Sequence, residues 1–291
     1  MPACLTHYQF AQEVRERLHL TELEPAAYAW GAQGPDFLFC HRYIQAAVKK
    51  ETDNLQKFGS ALHRTQPSLT LAAMRDFLAQ HQDNTYRSYV LGFLCHYALD
   101  STVHPYVNAR AKALAEERPW ENTSTMHCGI EASLDTIVLR WKTGQLPSEV
   151  KLVSCFPKNE GVQRKIACLY REVLFSIYGT DVAEEELFRA TKNARFIFSA
   201  TTDRSGLKRM LFERLERGRP GYVTSHLVPI TEDSEPDYAN DSHSAWTTES
   251  GDVREESAFE LYGQALERAE RLFKGFDTAD LKELTGDRPF G

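Results

Sequence analysis

Apolar residues recur at helical spacing along most of the chain. Phe10, Ala11, Val14 and Leu18 line one side of a helix that opens around Thr6-His7-Tyr8, with Thr6 as its expected N-cap. A second run, Tyr89-Val-Leu-Gly-Phe-Leu-Cys-His-Tyr-Ala-Leu-Asp100, is almost uninterruptedly apolar. Pro105 disfavours helical geometry at the residue before it, so this helix is expected to stop at His104. Residues 162–178, 184–200, 203–217 and 256–275 carry further helical patterns, for example Leu169, Val173, Phe175 and Ile177, and are expected to pack around the earlier helices. Between them, 229–256 is polar and acidic, with Asp237, Asp241 and Asp252, and reads as a long loop. No internal repeat is visible. The pattern predicts an all-α protein, read as a single multi-helix domain over 1–291, with residues 140–275 as helical scaffold.

Two pairs of residues stand out from this pattern. His96 and Asp100 share one helical face about 6 Å apart along the axis, and His127 and Glu131 repeat the same step. Such pairs also occur as plain contacts on solvated helices. Here His96 and Asp100 lie among Leu94, Cys95, Tyr97, Ala98, Leu99 and Val103, where a lone carboxylate is costly unless it is paired or ligating. Imidazole and carboxylate together suit Zn²⁺, and two half-sites on neighbouring helices converge as cofactor sites of helical bundles do. His96, Asp100 and His104 span about 12 Å of helix, too far for both histidines to reach one ion at about 2 Å. Asp100 is therefore expected between two metals, as in two-metal phosphodiester-cleaving sites. Two further segments can complete the set. His7 sits in the first turn of its helix, and the punctuated stretch Trp30-Gly-Ala-Gln-Gly-Pro-Asp36 delivers an acid that is either a helix N-cap or a site residue.

At 291 residues, 42% hydrophobic and 26% charged, the chain can bury a large core, and no apolar stretch approaches the roughly 20 residues that span a bilayer. The net charge of −7, without a basic stripe interleaved with aromatics, argues against nucleic acid as a partner. It does not exclude a phosphate substrate, because divalent cations in the site reverse the local charge. No Walker loop, Gly-x-Ser-x-Gly elbow or His-Asp dipeptide is present. The six cysteines show no Cys-x-x-Cys spacing, and Cys95 and Cys128, each next to a candidate ligand, point about 100° away from it on a helix. His19, His81, His226 and His243 have no ligand partner at helical spacing and are placed on the surface. Trp30, Tyr43, Tyr97, Tyr106 and Trp246 either line a pocket or fill the core.

Thr6-His7-Tyr8, Gly31-Ala-Gln-Gly-Pro-Asp36, Gly59-Ser-Ala-Leu-His63, Gly92-Phe-Leu-Cys-His96-Tyr-Ala-Leu-Asp100-Ser-Thr-Val-His104-Pro105 and His127-Cys-Gly-Ile-Glu131 together resemble the bacterial zinc-dependent phospholipase C family, over roughly residues 5–135. The resemblance implies an all-helical fold around two or three Zn²⁺ ions and hydrolysis of a phospholipid or another small phosphodiester. It also implies transient contact with a membrane surface. It places His7 on one zinc, Asp36, His63, His96 and Asp100 on a second, and His104, His127 and Glu131 on a third, with Asp100 bridging. Asp36 would be the general base or water-orienting group, and His41 is the alternative to His63. Secreted members complete the first site with an N-terminal Trp. This chain has no Trp before Trp30, and Cys4 is either a thiolate substitute or a small buried residue. Without a signal-peptide pattern, a cytoplasmic location and reduced cysteines are expected. Two other readings are a zinc nuclease of related fold acting on single-stranded nucleic acid and a non-catalytic metal-binding module.

Overall fold

The computed structural model describes residues 3–43, 55–232 and 236–290, so the first two residues and positions 233–235 of the expected loop lie outside it. The helices are α1 (Cys4–Arg17), α2 (Pro25–Ala32), α3 (Gln56–Arg64), α4 (Pro67–Gln80), α5 (Asn84–Glu117), α6 (Thr123–Thr143), α7 (Glu160–Tyr178), α8 (Glu184–Thr201), α9 (Leu207–Leu215), α10 (Ala258–Gly275) and α11 (Leu281–Thr285). A 3-10 turn, Asp36–Cys40, follows α2. The fold is all-α. Among the described residues the one departure is a two-stranded antiparallel ribbon, β1 (Trp246–Thr247) with β2 (Val253–Arg254), inside the polar loop.

Helix α5 is the axis of the molecule. From Ser88 to Thr102 every side chain is buried, because α2, α10 and α6 pack around it, so no polar stripe interrupts its sequence. The tightest crossing is with α2. A Cβ on Gly31 would lie 2.0 Å from the Tyr89 carbonyl oxygen, and one on Gly92 would lie 2.3 Å from that of Tyr28. Only two glycines let these backbones meet.

Helix α5 does not end at His104. It runs through Pro105 to Glu117, and the residues beyond explain why. Tyr106, Val107 and Leu114, each no more than 1% exposed, build a second core with Ile130 and Leu134 of α6 and with Ala239 and Trp246 of the loop. Burying three such side chains, at about 1.5–3 kcal/mol each, outweighs the roughly 3 kcal/mol cost of an internal proline. Three of the scaffold patterns, 162–178, 184–200 and 256–275, appear as α7, α8 and α10 with termini shifted by two residues or fewer. Phe175 is 55% exposed, since it lies about 240° around α7 from Leu169. The fourth pattern, 203–217, shortens to α9, none of whose residues is fully buried, so the expected packing of its apolar stripe on the other helices fails.

Candidate metal centre

Because α5 stays helical, His96, Asp100 and His104 stand on successive turns of one face. Asp100 is the hub, 3% exposed, with His96 Nε2 3.1 Å from one carboxylate oxygen and His104 Nε2 3.6 Å from the other. His7 Nε2 approaches to 3.1 Å and His63 Nε2 to 3.8 Å. The His7 ring stacks on that of His96 with centroids 4.5 Å apart.

Each neighbour is placed by its own element. Thr6 does not cap α1; the N-cap is Ala3, with a left-handed φ of 55° and no side-chain cap. Asp135 of α6 caps the helix from outside. It accepts hydrogen bonds from the backbone N–H of Leu5 (3.2 Å), the N–H of Thr6 (2.7 Å) and the Thr6 hydroxyl (2.8 Å), which holds His7 in the first turn. Asp36 opens the 3-10 turn, makes no capping bond and lies 3.2 Å from His63 Nε2. Gly34, at φ +53°, leaves room for the His96 ring; a Cβ there would sit 2.2 Å from His96 Cδ2. On α6, Glu131 Oε1 lies 3.4 Å from His127 Nε2 and 3.2 Å from His104 Nε2. The donor atoms therefore gather in three groups, each within 4.8 Å: His7, His96 and Asp100; Asp36, His63 and His96; His104, His127 and Glu131. His104, close to both Asp100 and Glu131, connects the last group to the others.

Proton positions on the imidazoles follow from their outer partners. His63 Nδ1 lies 2.8 Å from the Gly59 carbonyl oxygen, His104 Nδ1 2.9 Å from that of Phe290 and His127 Nδ1 2.9 Å from Asn108 Oδ1. A carbonyl only accepts, so each Nδ1 carries the proton and each neutral ring turns the lone pair of Nε2 inward. Those lone pairs face carboxylate oxygens. Two sets of electron pairs at 3.2–3.8 Å repel unless a proton or a cation lies between them. His96, fully buried, has no hydrogen-bond partner on either ring nitrogen, and His7 has none on Nδ1. An orphaned His96 Nε2 facing the buried Asp100 carboxylate, beside three imidazoles whose Nδ1 is tied to an oxygen, fits a zinc ion better than a purely structural polar cluster.

The model of the zinc dependent phospholipase C family matches residues 6–178. The chain belongs to that family. Membership implies a hydrolase and zinc, and it accords with the all-α fold. Comparison with curated proteins and with solved structures returns no match. No helix among the described residues is long and apolar enough to cross a membrane.

In this family member the charges reinforce the geometry. Burial alone would raise the Asp36 carboxyl, but His63 and His96 hold it down at about 2. Asp100 is likewise driven well below the carboxylate range, with burial opposed by His104, His96 and His7. Burial lowers His104, yet with no cation between them Asp100 and Glu131 outweigh it and raise the imidazole to about 9, so a proton sits on Nε2 where a bound metal would take its place. Asp36 and Asp100 are therefore ionised at neutral pH.

His41 lies elsewhere. Its Nε2 is 2.9 Å from Glu186 and its Nδ1 accepts from the Leu55 N–H, so the Asp36 neighbour is His63. Cys4 is 1% exposed, and burial together with the neighbouring Cys155 raises its thiol, which leaves it a core residue rather than a thiolate. Cys95 packs on the Tyr28 hydroxyl, and neither it nor Cys128 enters a donor group. Trp30, Tyr97, Tyr106 and Trp246 are core, and only Tyr43 of those five aromatics reaches the surface. His19, His81 and His243 are exposed; His226 is half-buried, its ring facing Tyr43.

Three supporting residues escaped the sequence reading: Asp135, Asn108 and Phe290. Asp135 follows Glu131 at the same i+4 step, which is a usable signal; Phe290 lies far outside the motifs and carries none. Its ring, fully buried, packs on His63 (5.3 Å), His96 (5.8 Å), Phe93 and Tyr97. The Tyr97 hydroxyl donates to the Arg288 carbonyl at 2.8 Å and accepts from Arg268, which ties this segment to α5 and α10.

Proposed function

We propose that the protein is a zinc-dependent phosphodiester hydrolase that cleaves a glycerophospholipid in the manner of phospholipase C. The observation that carries this reading is the convergence of five imidazole Nε2 atoms on Asp36, Asp100 and Glu131. His7, His96 and Asp100, then Asp36 and His63, then His104, His127 and Glu131 would hold two or three Zn²⁺, with Asp100 shared. When bound, zinc lowers the pKa of a coordinated water and neutralises charge on the phosphoryl oxygens.

The chain's own residues do the rest. Asp36 is the most open of the three carboxylates, with 18% of its side chain exposed against 3% for Asp100 and 7% for Glu131. It accepts a hydrogen bond from the attacking water and orients that water toward phosphorus. Asp100 and Glu131 stay shielded and hold the imidazoles in register. His127, with 26% of its side chain exposed, marks the open side of the cluster. The water oxygen bonds to phosphorus, the phosphorus–oxygen bond to the diacylglycerol breaks, and the proton lost by the water ends on the released alcohol oxygen.

The test is metal analysis of the purified protein together with a panel of phospholipids, single-stranded DNA and single-stranded RNA. Bound zinc with release of diacylglycerol supports the proposal. Cleavage of nucleic acid in place of lipid would assign the site to a nuclease, and zinc without hydrolysis of any phosphodiester would leave a non-catalytic metal-binding module.

A further inference from the structure

Helix α9 carries an amphipathic pattern turned the wrong way for a globular core. Leu207, Met210, Leu211, Arg214 and Leu215 follow the i, i+3, i+4, i+7, i+8 spacing of a buried face. Yet Leu207 is 61% exposed, Met210 61%, Leu211 54% and Leu215 63%. The side turned to the protein carries Arg209 and Phe212, both half-buried, and Arg209 pairs with the exposed Glu213 and donates to the Leu227 carbonyl. Four large apolar side chains thus form one stripe pointing into water.

The charges around the stripe say what it meets. Residues 204–219 hold six cations, Arg204, Lys208, Arg209, Arg214, Arg217 and Arg219, against Glu213 and Glu216, a local +4 in a chain of net −7. Arg214, within the stripe, and Arg217 and Arg219, just beyond it, are exposed and have no hydrogen-bond or ion-pair partner for their side chains among the described residues. We propose that α9 and the following turn form a docking surface for an anionic phospholipid bilayer. Leucine and methionine enter the acyl boundary, and the arginines meet the lipid phosphates. A second copy of the chain is a poorer occupant, because a two-fold pairing of this face would set the same unpaired arginines against each other.

The chain after this surface leads back to the helix that carries His127 and Glu131. Tyr222, 63% exposed, and Val223 lead into the turn Thr224–His226, which packs on α6, the helix of His127 and Glu131. The His226 ring faces Tyr43 at 6.5 Å beside it. The proposal deepens the phospholipid reading by naming the surface that would bring a bilayer to the cluster, and it rests on that reading only for the purpose of docking.

The test is co-sedimentation of the full protein with phosphatidylcholine vesicles, with and without phosphatidylglycerol, alongside turnover of a short-chain phosphatidylcholine below its micelle concentration. The parent should bind the anionic vesicles more tightly, and added salt should weaken that binding. Leu211→Glu with Leu215→Glu should lower partition onto both vesicles at least about tenfold. Arg214→Glu with Arg217→Glu should act on the anionic vesicles alone, since one basic side chain near such a surface is worth about fivefold. Both variants should keep parental turnover of the dispersed substrate, because α9 has no fully buried side chain and holds no site residue. Equal partition of parent and variants would overturn the proposal, as would self-association of the parent that the leucine variant abolishes. Vesicle binding without turnover of any phosphodiester would uphold the docking surface and refute the hydrolase reading, so the two fail separately.

Discussion

Phe290→Ala separates the packing of the centre from its chemistry. The ring is fully buried against His63, His96, Phe93 and Tyr97 at centroid distances of 4.9–5.8 Å, so truncation leaves a cavity bordered by two of the proposed ligands. Removing a buried Phe costs about 3–5 kcal/mol. At about 2 °C per kcal/mol for a chain of this size, the melting temperature should fall by about 6–10 °C. The consequence for metal runs through the backbone. The Phe290 carbonyl holds His104 Nδ1 at 2.9 Å, and without the anchoring ring that oxygen is no longer fixed. Loss of an outer-shell partner lowers metal affinity by about 10–100-fold. Phe290→Leu, which keeps most of the volume and the segment in place, should cost less than about 2 kcal/mol and leave zinc affinity near parental. The assay is thermal unfolding of both variants together with zinc competition against a chromophoric chelator. If Phe290→Ala loses stability while its zinc affinity stays within about twofold of the parent, Phe290 is core alone and the account of His104 is wrong.

Asp100→Asn should lower zinc stoichiometry and abolish hydrolysis, since an amide has no charge to share between two cations; unchanged metal content and turnover would refute the hub role. Asp36→Asn should retain most of the zinc, with His63, His96 and Asp100 still in place, yet lose about two to four decades of rate. Near-parental turnover of that variant would reduce Asp36 to a structural residue. Gly34→Ala should displace His96, because the new methyl would lie within 2.5 Å of three of its ring atoms at a φ that L-residues avoid; full zinc content by elemental analysis would contradict this. Burial pulls His41 below its ordinary value of 6.5, against the opposing pull of Glu186. The unfolded chain then takes up a proton that the folded chain resists, so stability should fall from about pH 7 to 5. Urea unfolding of His41→Gln across that range should show a flatter profile.

The helical class and most of the residues that converge at the candidate centre were legible in the sequence because both depend on local spacing. The i, i+4 step of His96 with Asp100 and of His127 with Glu131 holds for any helix, and the apolar run around His96 required a buried one. Choices made by non-local packing were not legible. Pro105 marks a helix end by its local chemistry, yet Tyr106, Val107 and Leu114 found a second core beyond it and carried α5 onward, which put His104 on the same face as Asp100. Whether His41 or His63 meets Asp36 turned on contacts with Glu186 and Asp36 that sequence spacing does not encode. Asp135 replaced the expected Thr6 cap from another helix, and Phe290 reached His104 across 186 positions of chain. The pattern of 203–217 predicted α9 but not its outward stripe. Periodicity shows that a helix has an apolar face; only the surrounding surfaces decide whether that face has anything in the protein to cover it.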